Sequence, residues 1–327
     1  MNVLVVGGAG YIGSVVVEEL VRHRHSALVL DDLSTGHRDA VAALAYLVEG
    51  AMEAPGKLAE AFGVKEIDCV IHLAAKSLVE ESMRHPELYE RANVDAGLRL
   101  LDAMARHGVT RIVFSSSAAV YDPAGPMPLT EASPMGPLSP YGATKLRFER
   151  ELERRAARGD LRYVALRFFN VAGASIDHGE DHRHETHLVP RLLDAARGAR
   201  EAVPLYGTDY PTGDGTAVRD YVHVLDVADA HLRAVRHLAE DGASATLNLG
   251  SERGHTVREV IRAVEALTGR VVPVREEARR AGDPPCLIAS SESARRVLGW
   301  NPQFGDLETI LGTAWDWRLR YPEGYAQ

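Results

Sequence analysis

Thirteen residues at the N-terminus leave this chain few folds to choose from. An apolar run, Val3 to Val6, passes directly into Gly7-Gly8-Ala9-Gly10-Tyr11-Ile12-Gly13, and helical spacing begins at once, from Ile12 to Arg24. The glycines satisfy both the Gly8-x-Gly10-x-x-Gly13 and the overlapping Gly7-x-x-Gly10-x-x-Gly13 pattern. A turn of this kind lets a pyrophosphate approach the amides of a helix N-terminus, which a Cβ would block. Glycines alone also fit an ordinary strand-to-helix turn. Asp31, 18 residues past Gly13 and at the end of the next apolar run, decides between the two. A carboxylate there accepts hydrogen bonds from the adenosine ribose and repels a 2′-phosphate, so NAD rather than NADP is expected. Asp32 beside it is the alternative ribose ligand.

Short β-branched runs recur at Ala27 to Leu30, Cys69 to Leu73, Arg111 to Ser115 and Tyr163 to Arg167, separated by helical segments Glu87 to His107 and Tyr141 to Arg158. This alternation predicts an α/β fold, a doubly wound, Rossmann-like parallel sheet over residues 1–169. From about Asn170 the alternation loosens, which predicts a smaller C-terminal α/β substrate lobe over 170–327. Tyr221 to His237 is the segment expected to return to the first lobe.

Tyr141 and Lys145 lie four residues apart on a helix after Ser139-Pro140, hence on one face. With 11 tyrosines and four lysines in 327 residues, a Tyr-x-x-x-Lys match arises by chance about 0.13 times. A free phenol titrates near pH 10; a neighbouring ammonium and a cationic nicotinamide favour its phenolate, which makes Tyr141 a general base. Ser115, Ser116 and Ser117 end a strand at the edge where doubly wound sheets place chemistry, and one of these hydroxyls is suited to hold the reacting oxygen.

Together these residues resemble an extended short-chain dehydrogenase/reductase. The stretches His72 to Ser82, Arg167 to Ala174, Gly207 to Thr212 and Arg219 to Val224 narrow the resemblance to the UDP-glucose 4-epimerase family. The resemblance implies Ser117 as catalytic serine, Tyr141 as acid/base and Lys145 as the residue orienting the nicotinamide ribose. It implies a cofactor lined by the glycine turn, by Asp31, Asp32, Leu33, Ser34, Thr35 and Gly36, by Ala51 and Met52, by Leu73, Ala74, Ala75, Lys76 and Ser77, and by Asn93 and Phe169. Asn170, His187, Leu188, Tyr206, Arg219, Arg280 and Asp283 are implied contacts of a UDP-sugar, and a homodimer is the implied assembly. Forked, permanently charged Arg219 and Arg280 suit a diphosphate.

The chain departs from the family pattern at Gly50-Ala51-Met52, where an aspartate usually follows the glycine, and at Asp122, where glycine is customary. Whether Lys76 or Ser77 faces the cofactor stays open. Leu287 stands at a size-gating position and is intermediate in bulk, so N-acetylated sugars stay open too, as do UDP-pentoses and UDP-uronates. Ala118 and Ala119 replace the Asp-Glu pair that a sugar-nucleotide dehydratase needs to eliminate water. A non-catalytic NAD-binding regulator is the remaining alternative, and intact Ser117, Tyr141 and Lys145 argue against it. The run from His178 to His187 lacks metal-ligand spacing, so a solvated loop and no metal are expected. A net charge of −9 gives no reason to expect nucleic acid. Two distant cysteines, Cys69 and Cys286, no basic leader and no long apolar run predict a cytoplasmic, non-membrane protein.

Overall fold

The computed structural model describes residues 1–280 and 282–325. Its strands are β1 (Asn2–Val6), β2 (Ser26–Asp31), β3 (Tyr46–Glu49), β4 (Cys69–His72), β5 (Arg111–Ser117), β6 (Arg162–Phe168), β7 (Asn170–Ala172), β8 (Val203–Tyr206), β9 (Val218–His223), β10 (Ala245–Leu249), β11 (Gly254–Thr256), β12 (Val274–Glu277) and β13 (Cys286–Leu287). Seven of them form one sheet in the order β10-β6-β5-β4-β1-β2-β3, with every pairing parallel. The chain reverses direction across the sheet between β1 and β4, and ligands of open α/β sheets sit in the crevice at such a point.

Both faces are covered, as the near-continuous apolar strands require. Along β1, Val3 and Val5 join one core with the helices Tyr11–Arg22 and Val224–Ala239, while Leu4 and Val6 join the other with Ala96–Arg106 and Pro140–Ala157. Each such fully buried Val or Leu contributes about 1.5–3 kcal/mol of transfer free energy. A third core, built on Val189, Leu192, Leu205, Val260 and Leu311, underlies the smaller lobe.

Residues beyond 169 re-enter the first sheet. Helix Val224–Ala239 packs on the glycine-loop helix, and β10 pairs with β6 at the sheet's edge. The expected helix Glu87 to His107 is broken into Pro86–Tyr89, a π-helical turn Glu90–Asp95 and Ala96–Arg106. Among the described residues no helix is long and apolar enough to cross a membrane.

Candidate active site

The glycines of the first turn divide the work differently from expectation. A Cβ on Gly7 (φ +88°) would lie 2.4 Å from the Ala74 amide nitrogen, and one on Gly13 only 2.0 Å from the Gly7 carbonyl oxygen. Those two permit chain to pack on chain. At Gly10 the nearest atom would be 3.7 Å away, so the room for a ligand is there. Helix Tyr11–Arg22 starts at Gly10 with no side-chain cap, which leaves first-turn N–H groups for an anion. Tyr11 is anchored by donating to the Gly173 carbonyl at 2.6 Å, and Ile12 packs on the core.

Asp31 ends β2 with its carboxylate already engaged: Oδ2 accepts from the Ala9 amide and Oδ1 from the Leu33 amide, each at 2.9 Å. Each oxygen keeps a second lone pair for a ribose hydroxyl. Burial pushes this carboxyl up, against the two backbone bonds that favour its ionised form. Asp32 is exposed and closes a turn by accepting from the Ser34 amide at 2.9 Å. Thr35 is exposed, and Gly36 is buried against Ala9. Of the two residues at the departure after β3, Ala51 is half-buried and Met52 belongs to the core. Asp122 acquires a local role, since its Oδ1 accepts from the Ala124 amide at 2.9 Å and closes a turn.

Past β4, Leu73 and Ala74 donate their amides to the Val6 carbonyl, at 2.8 Å each, which lays the segment across the end of β1. Ala75 and Lys76 are half-buried and Ser77 is exposed. Asn93, buried in the π-helical turn, accepts from the Lys76 amide at 2.8 Å and donates to the Lys76 carbonyl at 2.9 Å. It clamps this segment, and its amide also reaches Thr144 Oγ1 at 3.1 Å.

The catalytic candidates meet at the end of β5. Ser139 caps helix Pro140–Ala157 by accepting from the Gly142 amide at 3.1 Å. A Cβ at Gly142 would lie 2.1 Å from the Ala119 carbonyl oxygen, so glycine lets the helix start hard against the serine strand. Strand alternation sends two serines to opposite faces. Ser115 pairs with His231 Nε2 at 2.9 Å and Ser116 donates to Glu149 at 2.5 Å. Ser117 is the one left to Tyr141: its Oγ accepts only from the Ala119 amide, at 3.2 Å, and its hydroxyl favours the ionised Tyr141 phenol. Phe169, buried one residue past β6, joins the core cluster beside this strand end.

Lys145 is buried, its Nζ donating to the Ser115 carbonyl at 2.8 Å and standing 5.9 Å from the Tyr141 ring centroid. Burial lowers its pKa to about 7, partly opposed by the charge of Glu149. Glu149 is itself locked to Arg167 by two bonds, at 2.9 and 2.6 Å. Burial also pushes the Tyr141 phenol above its ordinary value, with the Ser117 hydroxyl opposing. The expectation that the ammonium lowers this phenol is not met in the protein by itself, where burial dominates and Lys145 Nζ stands 5.9 Å from the ring; a cationic nicotinamide is the further charge that would favour the phenolate.

In the smaller lobe, Asn170 is exposed at the start of β7, His187 is the N-cap residue of helix Leu188–Ala196, and Leu188 is half-buried. Arg280 lies over the Tyr206 ring at 3.9 Å, and Arg219 is ion-paired with Asp283. Sequence reasoning missed Arg191 and Arg200. Both carry a buried Nε with no hydrogen-bond partner, and burial together with the like charges of Arg200 and Arg280 lowers the pKa of Arg191. Guanidiniums gathered this way suit an anion. An arginine-rich composition hid them.

The run expected to be a solvated loop is folded in at its start, while Arg183, His184 and His187 stay exposed. His178 and Glu180 are buried, Gly179 packs on the Trp317 ring, and Asp181 accepts from the Tyr325 amide at 2.9 Å. Aromatic residues of the C-terminal segment cover the loop, which no local pattern announces.

Residues 3–250 match the family described as NAD dependent epimerase/dehydratase. The chain is 45% identical to the UDP-glucose 4-epimerase of Lacticaseibacillus casei over 99% of each chain. It is similar to the crystal structure of UDP-glucose 4-epimerase from Brucella ovis in complex with NAD, with a TM-score of 0.93, 45% identity and coverage of 96% of this chain and 97% of that one. A third similarity is to UDP-glucose 4-epimerase from Bifidobacterium longum in complex with NAD+ and UDP, with a TM-score of 0.94, 32% identity and coverage of 99% and 100%.

Proposed function

The chain belongs to the NAD dependent epimerase/dehydratase family, and from that premise we propose that it interconverts the C4 epimers of a UDP-hexose, UDP-glucose and UDP-galactose. The observation that carries the reading is buried Tyr141 with Lys145 Nζ 5.9 Å from its ring, both at the end of the strand that closes in Ser117. NAD fits the cradle at Gly10, with the uncapped helix start for its pyrophosphate and Asp31 for its ribose. When bound, NAD supplies a reversible hydride acceptor for C4 of the sugar.

Tyr141 removes the proton of the 4-hydroxyl and later returns it, while Ser117 holds the same oxygen in line. Lys145 orients the nicotinamide ribose. The sugar passes through a 4-keto form, turns over, and is reduced on its other face, so the enzyme ends each turnover as it began. Arg219 and Arg280, the latter with Arg191 and Arg200 nearby, balance the diphosphate, while Asn170, His187, Leu188, Tyr206 and Asp283 frame the nucleotide. Residues 1–169 hold the cofactor and 170–327 the substrate, apart from the segments that return to the first sheet. The free cysteines Cys69 and Cys286 suit a reducing cytoplasm, and the reading extends to a homodimer, which light scattering on the purified protein tests.

The direct test is to incubate purified protein with UDP-galactose and no added NAD. Formation of UDP-glucose supports the reading, and no conversion even after NAD is supplied refutes it. UDP-N-acetylgalactosamine in the same assay tests whether Leu287 gates the size of the sugar.

A further inference from the structure

Glu180, His182, Glu185 and His187 each present one ligand atom, and the four atoms all lie within 4.8 Å of one another. His182 Nδ1 stands 3.4 Å from Glu180 Oε1 and 3.2 Å from Glu185 Oε2. His187 Nδ1 stands 2.9 Å from Glu180 Oε1 and 2.9 Å from Glu185 Oε1. Donors bound to Zn2+ at roughly 2.0–2.1 Å in a tetrahedron are about 3.3 Å apart. The histidine–carboxylate distances bracket that value, and those to Glu185 are hydrogen bonds that an ion would replace.

Charge points the same way. The two carboxylates have side chains only 9% exposed, and among the described residues neither forms an ion pair with a lysine or arginine. Two desolvated negative charges need positive charge at close range, which either a bound cation or the two paired imidazolium rings supply. The ligands follow one another at intervals of two, three and two residues along a turning loop. A cluster made by turns carries no helical motif, which is why the sequence pattern argues against a metal.

We infer that Glu180, His182, Glu185 and His187 form a four-ligand site for a divalent transition metal, with Zn2+ the best match to this donor set. Four protein ligands leave no open position, so the ion is structural rather than catalytic. Its location defines what it holds. The His182 ring stands edge-on to Tyr11 of the glycine turn with centroids 6.4 Å apart, and His187 begins helix Leu188–Ala196. The ion fastens the substrate-lobe loop beside the cofactor turn.

The readout is the metal itself, so the outcome is separable from that of the epimerase assay. Full-length protein is stripped with a chelator, dialysed against Co2+ or Zn2+, and examined by elemental analysis, visible spectroscopy and thermal unfolding. One equivalent of metal, the intense visible bands of tetrahedral Co2+ and a higher unfolding temperature than the stripped protein are expected. Glu185→Gln and His182→Gln are expected to weaken binding by tenfold or more, on the order of what disturbed metal sites lose. The inference is overturned if the parent retains no more metal than Glu185→Gln, or if its Co2+ spectrum is octahedral; the two imidazoles then balance the carboxylates as imidazolium ions. Comparing stripped with loaded parent needs no variant, so a substitution that fails to fold leaves the test standing.

Discussion

Glu149→Gln removes one charge and almost no volume from the most buried ion pair of the catalytic lobe. The carboxylate is 1% exposed and the Arg167 side chain 5%. The same network continues from Arg167 to the Tyr121 hydroxyl at 2.9 Å and from there to Asn248 at 2.6 Å. With glutamine in place, Arg167 becomes a buried cation without a counterion, which costs about 3–5 kcal/mol. At roughly 2–4 °C per kcal/mol for a large domain, the unfolding temperature should fall by about 6–20 °C. A second effect is catalytic. Glu149 is the charge that opposes the desolvation of Lys145, whose pKa is already lowered to about 7. Losing it moves Lys145 further down, so less ammonium survives at a given pH and the alkaline limb of the activity profile shifts to lower pH. Calorimetry and pH–rate profiles of parent and variant measure both effects. A variant that melts within 2 °C of the parent and has a superimposable pH profile would refute the reasoning.

The other expectations need less apparatus. Asp31→Asn keeps one acceptor for the Ala9 and Leu33 amides and loses the charge, so NAD binding should weaken by about 1.5–3 kcal/mol while discrimination against NADP relaxes; titration calorimetry with both cofactors checks this, and an unchanged ratio contradicts it. Gly13→Ala sets a methyl 2.0 Å from the Gly7 carbonyl, so the turn must open and co-purifying NAD should be lost; a variant retaining cofactor as the parent does speaks against the close-packing role. Lys145 titrates at about 7 in the fold against 10.5 in the unfolded chain. Between those values the unfolded chain binds the extra proton, so this group's contribution makes the cofactor-free protein more stable as pH rises from about 7 toward 10.5. Urea midpoints across that range should climb more steeply for the parent than for Lys145→Met, and parallel slopes contradict the assignment.

What could be read from residue order follows a physical division. The glycine turn, Asp31 and the Tyr141–Lys145 pair were legible because strand and helix periods alone put neighbours in sequence onto one edge or face. The flanking strands were harder: β3 is a short, half-exposed edge strand, and β10 lies 76 residues beyond the sequence boundary drawn at 169, so neither shows an apolar run like those of β1 or β4. The residues alone left three serines open and only the resemblance pointed to Ser117; that His231 and Glu149 claim the other two is a contact between distant segments. The resemblance implied Asn93 as a residue lining the cofactor; its clamp on Lys76 depends on a π-helical turn that no spacing rule predicts. The Glu180–His187 knot and the Arg191–Arg200 pair are assembled by loops and by contacts between distant segments, which local periodicity does not encode.

The central claim is that the Tyr141 oxygen carries the proton of the reacting hydroxyl. Tyr141→Phe removes that oxygen and keeps the ring that stacks edge-on to Tyr89, so NAD content and UDP binding should stay near the parent's. Turnover of UDP-galactose by this variant should fall by about 10²–10⁴, the usual worth of a positioned acid/base. Parent-like turnover in a variant with full cofactor content contradicts the account.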